Sequence, residues 1–368
     1  METNREDNRP VLDILIAVAE KGGVENCINM LGRYLSDKGI RVRIIQMVYE
    51  GVSWADGCME FHYVYSSRQG RNLQEFVDGY VNFLRTEGVP NLTLATAWPM
   101  MSYVAKKAAG TLDINLLTAS WLHAPVGRYE AAGFGGADYL KAADIHFAIS
   151  ETIAKQIRKA DPESYIYRID NPADLSKIRK TDIDKPGTLL FVGRLSEEKN
   201  IGVIIRAIAS AGTDWKLRLV GDGKEKEKLV KLAAELNVSS KLEFEGWSDD
   251  PWKYADGAYA FIMSSVYEGS PLAAIEALSC GLPVIGNVSS GVTEIIKPGV
   301  NGYLYHDEDH KELAMILDYI SEGKFPKIES EMCRKSVAKF DSSVSLLDFH
   351  IKLLSCMAGK LLEDQLYK

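Results

Sequence analysis

Residues 188–247 read TLLFVGRLSEEKNIGVIIRAIASAGTDWKLRLVGDGKEKEKLVKLAAELNVSSKLEFEGW. Three short apolar runs, Thr188–Val192, Lys216–Val220 and Lys241–Glu245, each stop at a glycine: Gly193, Gly221 and Gly246. Between them lie longer segments, Ile201–Ala211 and Lys224–Leu236, whose apolar residues recur at helical spacing. Short strands alternating with amphipathic helices predict a parallel sheet covered by helices. A glycine at the C-terminal end of such a strand lets the backbone turn and come close to a ligand. The stretch therefore predicts an α/β domain whose strand ends form its ligand-binding edge.

The same rhythm extends in both directions. Downstream come a strand at Ala258–Met263, a helix at Pro271–Cys280, a strand at Pro283–Ile285, and from Lys311 onward helices without further strands. Upstream, strands are expected at Leu12–Ala17, Arg41–Val48, Leu92–Ala97, Asn115–Ser120 and Ile145–Ile149, with helices at Val24–Lys38, Leu73–Arg85 and Glu151–Lys159. The rhythm breaks at Ile169-Asp170-Asn171-Pro172-Ala173-Asp174, where Pro172 biases Asn171 to an extended conformation and a polar stretch runs on to Pro186-Gly187. Two domains follow, residues 1–170 and 171–341. A last helix, about 342–368, with apolar Val344, Leu347, Ile351 and Leu354 at helical spacing, is expected to pack back on the first domain.

A chain of 368 residues suffices for two such domains, and 46% apolar with 26% charged residues is a globular composition. The net charge of −8 argues against nucleic acid as the main partner, since phosphate binding favours a basic surface. Five widely spaced cysteines without a Cys-x-x-Cys pair read as reduced thiols rather than a disulfide framework or a zinc site, and the six histidines show no metal-ligand spacing. The apolar run Val11–Ala19 is too short to span a bilayer and has no basic region before it, so neither an anchor nor a signal peptide is expected. The expected location is the cytoplasm, with peripheral contact at the inner face of the membrane left open.

Three segments carry chemistry. Gly22-Gly23-Val24-Glu25 sits where the first strand gives way to a helix, whose free N–H groups suit an anion; taken alone, a plain tight turn with Glu25 complementing the helix dipole is the better reading. Gly193 to Asn200 places Arg194 and Lys199 around a loop at a strand end, where two cations can hold a diphosphate and neutralise its charge as it leaves. Alone, these are better read as solvated surface charges with Glu197 or Glu198 as local partners. In Glu268-Gly269-Ser270-Pro271-Leu272, Ser270 is the expected N-cap and Pro271 the first helical residue, with Glu268 at the helix mouth and Glu276 more than a turn inside.

Taken in order, Gly22-Gly23-Val24-Glu25, Trp121-Leu122-His123, Asn171-Pro172, Phe191-Val192-Gly193-Arg194, Lys199-Asn200, Val220-Gly221-Asp222-Gly223, Gly246-Trp247, the Glu268/Glu276 pair, Gly281-Leu282-Pro283-Val284 and Gly291-Val292-Thr293-Glu294 resemble the retaining glycosyltransferases of family 4. The resemblance covers nearly the whole chain, most strongly its C-terminal half. It implies a GT-B fold, two Rossmann-like domains with parallel sheets facing across a central cleft. The first domain would take the acceptor and the second the nucleotide sugar. Arg194 and Lys199 would bind the diphosphate, and Glu276 the ribose hydroxyls. Glu268, with the backbone of Gly269, Ser270, Pro271 and Leu272, would contact sugar and phosphate. Gly193 and Trp247 would flank phosphate and base, while His123, Gly22 and Gly23 would reach the sugar from the first domain. The implied reaction transfers a hexose from a UDP-sugar, with UDP-glucose, UDP-galactose and UDP-N-acetylglucosamine as candidates. It would form an α-linkage to a glycan, glycolipid or glycoprotein, without a cofactor or a metal. Phe147-Ala148-Ile149-Ser150, Gly246-Trp247 through Pro251-Trp252 and Ile296-Lys297-Pro298-Gly299 resemble bacterial enzymes of cell-envelope or protein-linked glycans.

Asp182-Ile183-Asp184 and Asp307-Glu308-Asp309 match an Asp-x-Asp pattern but lie in polar segments, and solvated charge is the better reading. Gly221-Asp222-Gly223 lacks the third glycine of a dinucleotide fingerprint. Two rival functions use the same fold: a catalytically silent subunit supporting a partner transferase, and a non-hydrolysing sugar-nucleotide epimerase. A plain nucleotide-binding module is a third.

Overall fold

A computed structural model describes residues 9–19, 22–49, 51, 54–67, 72–289, 291–306 and 309–366, with side chains described as far as residue 359. The chain divides into two compact units, one formed by residues 1–172 with 342–368 and the other by 173–341.

The first unit holds strands β1 (Val11–Ile16), β2 (Arg41–Val48), β3 (Glu60–Tyr65), β4 (Leu92–Thr96), β5 (Thr118–Leu122), β6 (Ile145–Ala148) and β7 (Tyr165–Arg168). They form one sheet in the order β3-β2-β1-β4-β5-β6-β7, and every pair is parallel. Helices α1 (Gly23–Asp37), α2 (Leu73–Glu87), α3 (Met100–Leu112), α4 (Val126–Ala131), α5 (Ala137–Leu140) and α6 (Glu151–Ala160) connect them. The central strands are buried on both faces, so they read as continuous apolar runs rather than alternating ones. One polar group is threaded through this core. Asp13 on β1 accepts from Arg43 Nε at 2.6 Å and from the Tyr80 hydroxyl at 2.8 Å, all three side chains being buried. Arg43 also donates to the carbonyls of Glu87 and Gly88, tying the end of α2 to the sheet.

The second unit repeats the plan. Strands β8 (Thr188–Val192), β9 (Lys216–Val220), β10 (Leu242–Gly246), β11 (Ala260–Ile262), β12 (Val284–Asn287) and β13 (Gly302–Tyr305) make a parallel sheet in the order β10-β9-β8-β11-β12-β13. It is covered by α7 (Ile201–Ser210), α8 (Lys226–Glu235), α9 (Leu272–Cys280), α10 (Val292–Ile295), α11 (His310–Ser321) and α12 (Ser330–Ser336). In this sheet the strand order reverses between β8 and β11, which pair directly through Ala260–Leu189 and Phe261–Leu190. Such a reversal leaves the loops after the two strands splayed apart, and open α/β sheets bind ligands at that point.

The last helix, α13 (Ser342–Leu366), belongs to the first unit. Phe349 is fully buried and meets Trp121 edge-on at 5.1 Å and Phe147 at 4.7 Å, and Lys352 donates to the Arg168 carbonyl at 2.6 Å. The face that docks is not the one expected. Leu346, Phe349 and Leu353 are buried, whereas Val344, Leu347, Ile351 and Leu354 are 44–55% exposed. Helical spacing is shared by both stripes and does not say which of them meets the sheet. No helix among the described residues is long and apolar enough to cross a membrane.

Three strands escaped the sequence reading, β3, β7 and β13, and all three are sheet edges. β5 starts at Thr118 rather than Asn115, because Thr118 is the residue that pairs with Thr93. Helix α3, rich in alanine and without a side-chain cap, fills the interval between β4 and β5, where the alternation calls for a helix.

Candidate active site

The C-terminal edge of the second sheet is built from backbone. β8, β9 and β10 end at Gly193, Gly221 and Gly246, all with positive φ. Gly193 N–H donates to Val220 O at 3.0 Å, and Gly221 N–H donates to Gly246 O at 2.8 Å. A Cβ on Gly221 would lie 1.9 Å from the Gly193 carbonyl oxygen, so the stacking of these turns requires glycine there.

The two loops at the strand-order reversal are stitched together. Ser264, just after β11, donates its hydroxyl to the carbonyls of Lys199 (2.8 Å) and Asn200 (3.0 Å), and Val266 N–H donates to Glu198 O at 2.9 Å. Asn287 at the end of β12 donates to Ser265 O at 2.8 Å. These bonds bring the second and third sequence motifs into contact. Lys199 Nζ lies 2.7 Å from Glu268 Oε1, with both side chains mostly shielded from solvent. The partner of Lys199 is therefore Glu268, not its neighbour Glu197 or Glu198; Glu198 takes the Ser196 hydroxyl instead. Arg194 stands exposed on the same loop.

The third motif departs from expectation in one detail. The N-cap of α9 is Pro271, φ −70° and ψ 100°, and no described side chain caps it; Ser270 precedes the cap, with its hydroxyl buried and without a partner among the described residues. The loop before the helix is closed over by Gly291, whose Cβ would come within 2.6 Å of Glu268 O. Glu276, five residues into α9, is anchored by Trp252, whose indole N–H donates to Oε2 at 3.0 Å. Burial raises the Glu276 pKa, and the Trp252 bond opposes this in part. Trp247 is 68% exposed just past β10. Trp252 is buried in the core and orients Glu276.

Gly22, Gly23 and His123 lie in the first unit. Gly22, in extended conformation, precedes α1 without a side-chain cap, and Glu25 occupies the first helical turn. His123 follows β5; its Nε2 sits 3.1 Å from Thr96 Oγ1 and its Nδ1 is buried without a partner among the described residues. Burial lowers its pKa to about 3, so the ring is neutral.

Of the discounted pairs, Asp182 meets Arg334 at 3.2 Å, Asp184 accepts from the Lys185 N–H, and Asp309 accepts from the N–H groups of Lys311 and Glu312 at the start of α11. Asp307 and Glu308 lie outside the described residues.

A cationic loop facing a carboxylate loop at the reversal point of a parallel sheet suits a phosphorylated ligand carrying hydroxyls. Residues 175–339 match the family model described as glycosyl transferases group 1. The lipopolysaccharide 1,6-galactosyltransferase of Escherichia coli K12 is 31% identical over 266 residues, covering 70% of this chain and 72% of the relative. Its counterpart from Salmonella typhimurium LT2 is 33% identical, covering 68% and 71%. Among solved structures, the apo lipopolysaccharide outer core galactosyltransferase WaaB superposes with a TM-score of 0.81 at 23% identity, over 94% of this chain and 99% of the other. Anabaena Alr3699/HepE in complex with UDP and glucose gives 0.74 at 18%, over 94% and 100%. The chain thus belongs to the group 1 glycosyltransferases, of the cell-envelope glycan type, and has the GT-B fold.

Proposed function

We propose that the protein transfers a hexose from UDP-galactose or UDP-glucose to a glycan or glycolipid of the lipopolysaccharide kind, with retention and without a metal ion. The observation that carries this reading is the Lys199–Glu268 pair at the strand-order reversal, with Arg194 on the same loop and Glu276 held by Trp252. The enterobacterial relatives are lipopolysaccharide galactosyltransferases, which puts galactose first among the sugars and a lipopolysaccharide among the acceptors. The Anabaena protein was solved with UDP and glucose, which supports a uridine nucleotide as the donor's carrier.

In this reading Arg194 and Lys199 neutralise the diphosphate, the role a divalent cation fills elsewhere. Glu276 accepts from the ribose hydroxyls. Glu268, fixed by Lys199, accepts from a sugar hydroxyl, while the backbone of Gly269, Ser270 and Leu272 meets the phosphate. The bond from C1 to the phosphate oxygen breaks as the acceptor oxygen bonds to C1 from the same face, and the acceptor proton passes to the departing phosphate. Positioning and charge stabilisation do the work.

A donor screen tests it: purified protein with UDP-, GDP- and ADP-hexoses, with nucleotide release measured with and without EDTA. Release from a UDP-hexose, unchanged by EDTA, is the expected result. Release that needs a divalent ion, or that occurs only with GDP- or ADP-sugars, contradicts it. Conversion of the donor to an isomeric nucleotide sugar would identify an epimerase instead.

A further inference from the structure

Helix α13 is apolar on two sides. Leu346, Phe349 and Leu353 on one side are buried against the first unit. The other side carries Val344, Leu347, Ile351 and Leu354, which are 51%, 49%, 55% and 44% exposed, and runs on to exposed Ala358. Single exposed apolar residues are ordinary, but a continuous row of them marks a site of contact.

The spacing of the row says what it fits. Its steps are three, four, three and four residues, the a and d positions of a heptad, with Val344, Ile351 and Ala358 at a and Leu347 and Leu354 at d. A helix that lies on a globular core presents a broader stripe; a row confined to a and d is the narrower seam by which one helix meets another. β-branched residues at a with leucine at d favour two parallel helices over larger bundles.

A lipid surface asks for something else, since helices that lie in it carry Lys and Arg around the apolar face. Here the seam is flanked by Ser343 and His350 on one side and by Asp348 and Ser355 on the other. Lys352, beside Ile351, is engaged with the Arg168 carbonyl at 2.6 Å and with Asp348 at 2.5 Å. In a parallel pairing the flanks bring no like charges together. Ser343 of one copy comes beside Asp348 of the other, and His350 beside Ser355.

We propose that the first unit pairs with a second copy of this chain through α13, the two helices running parallel with Val344, Leu347, Ile351 and Leu354 each against its own counterpart. A two-fold contact of this kind closes on itself and stops at the dimer. The seam is about 21 Å long and about 10 Å wide, from the rise and diameter of a helix. That is short of the roughly 800 Å² per partner of a standard complex, so the dimer is weak, with a dissociation constant of about 10–100 µM. The pairing does not depend on the transferase reading.

Sedimentation equilibrium of the full chain from about 1 to about 300 µM tests it by mass action. Wild type is expected to pass from monomer to dimer across that range, and Leu347→Ser/Ile351→Ser to pair at least about tenfold more weakly, for the loss of both central layers of the seam. Met332→Ser, at an exposed position outside the seam, is expected to dimerise like wild type. At about 1 µM, where wild type is monomeric, the urea midpoint of the double variant should lie close to that of wild type, which separates lost pairing from lost fold. A wild type that stays monomeric throughout, or a double variant that pairs as tightly, overturns the proposal. Orientation is read by disulfide trapping in a Cys58→Ser background, which removes the exposed native thiol. Ile351→Cys alone is expected to cross-link, because a parallel seam sets it against its own counterpart. Cross-linking that appears only on mixing Ile351→Cys with Leu347→Cys would show antiparallel helices and overturn the parallel arrangement. A monomeric wild type that co-sediments with vesicles of phosphatidylethanolamine and phosphatidylglycerol, when the double variant does not, would make lipid the occupant and refute the pairing.

Discussion

Lys199 and Glu268 are separated by 69 residues and meet at 2.7 Å. If they hold the diphosphate and the sugar, each acts through a charge the other orients. Lys199→Met and Glu268→Gln should each lower UDP-hexose turnover by about 10²- to 10³-fold, as when one pre-aimed donor or acceptor is lost. The double variant should fall well short of the product of the two, because paired groups are not additive. Steady-state rates with unchanged melting temperatures check this; a loss of less than about threefold in both variants would remove the pair from the chemistry. The identities of these residues were legible from strand–glycine punctuation and family resemblance. Their mutual contact was not, since the spacing within each loop favoured local partners. Neither Trp252 nor Thr96 carried a sequence signal for the contact it makes. Each holds a candidate site residue, and the topology that brings it there is not encoded in local spacing.

Among elements, the last helix is the sharpest test of the packing. Phe349→Ala on α13 removes a fully buried ring from the Trp121–Phe147 cluster, and about 3–4 kcal/mol of stability should go with it. Ile351→Ser and Leu347→Ser, on the exposed face, should each change stability by about 0.5 kcal/mol or less. Urea unfolding midpoints distinguish the two faces; equal costs would mean that the helix docks by the other side. The sequence shows two interleaved apolar stripes and no means of ranking them. Strands are legible for the opposite reason when they lie in the sheet interior, where burial on both faces makes them continuous apolar runs. β3 and β7, at the edges of the first sheet, are only partly buried and lose that mark. β13, also an edge, is short and sits in the turn-rich stretch after Pro298.

For the molecule as a whole, two histidines of the first unit, His146 buried and His123 partly so, contribute to a loss of stability in acid. Burial holds the pKa of His123 to about 3 and that of His146 to about 4, against an ordinary 6.5. Folded, they stay neutral while the unfolded chain takes up protons, so their contribution is complete above pH ~6.5 and is lost as the pH falls. By pH 5 each should cost roughly 2 kcal/mol. His146→Gln should flatten the slope of stability between pH 7 and 5 by its share, read from unfolding midpoints. An unchanged slope would mean that His146 titrates normally. Every role proposed for the site requires the glycine-lined edge of the second sheet to hold the nucleotide. Isothermal titration of UDP into the full chain addresses this directly, without needing the acceptor or the sugar. The predicted result is one site per chain, weakened at least tenfold by Glu276→Ala and by Arg194→Ala and unaffected by Ile351→Ser. UDP that fails to bind, or that binds equally well to wild type and to both site variants, would contradict it.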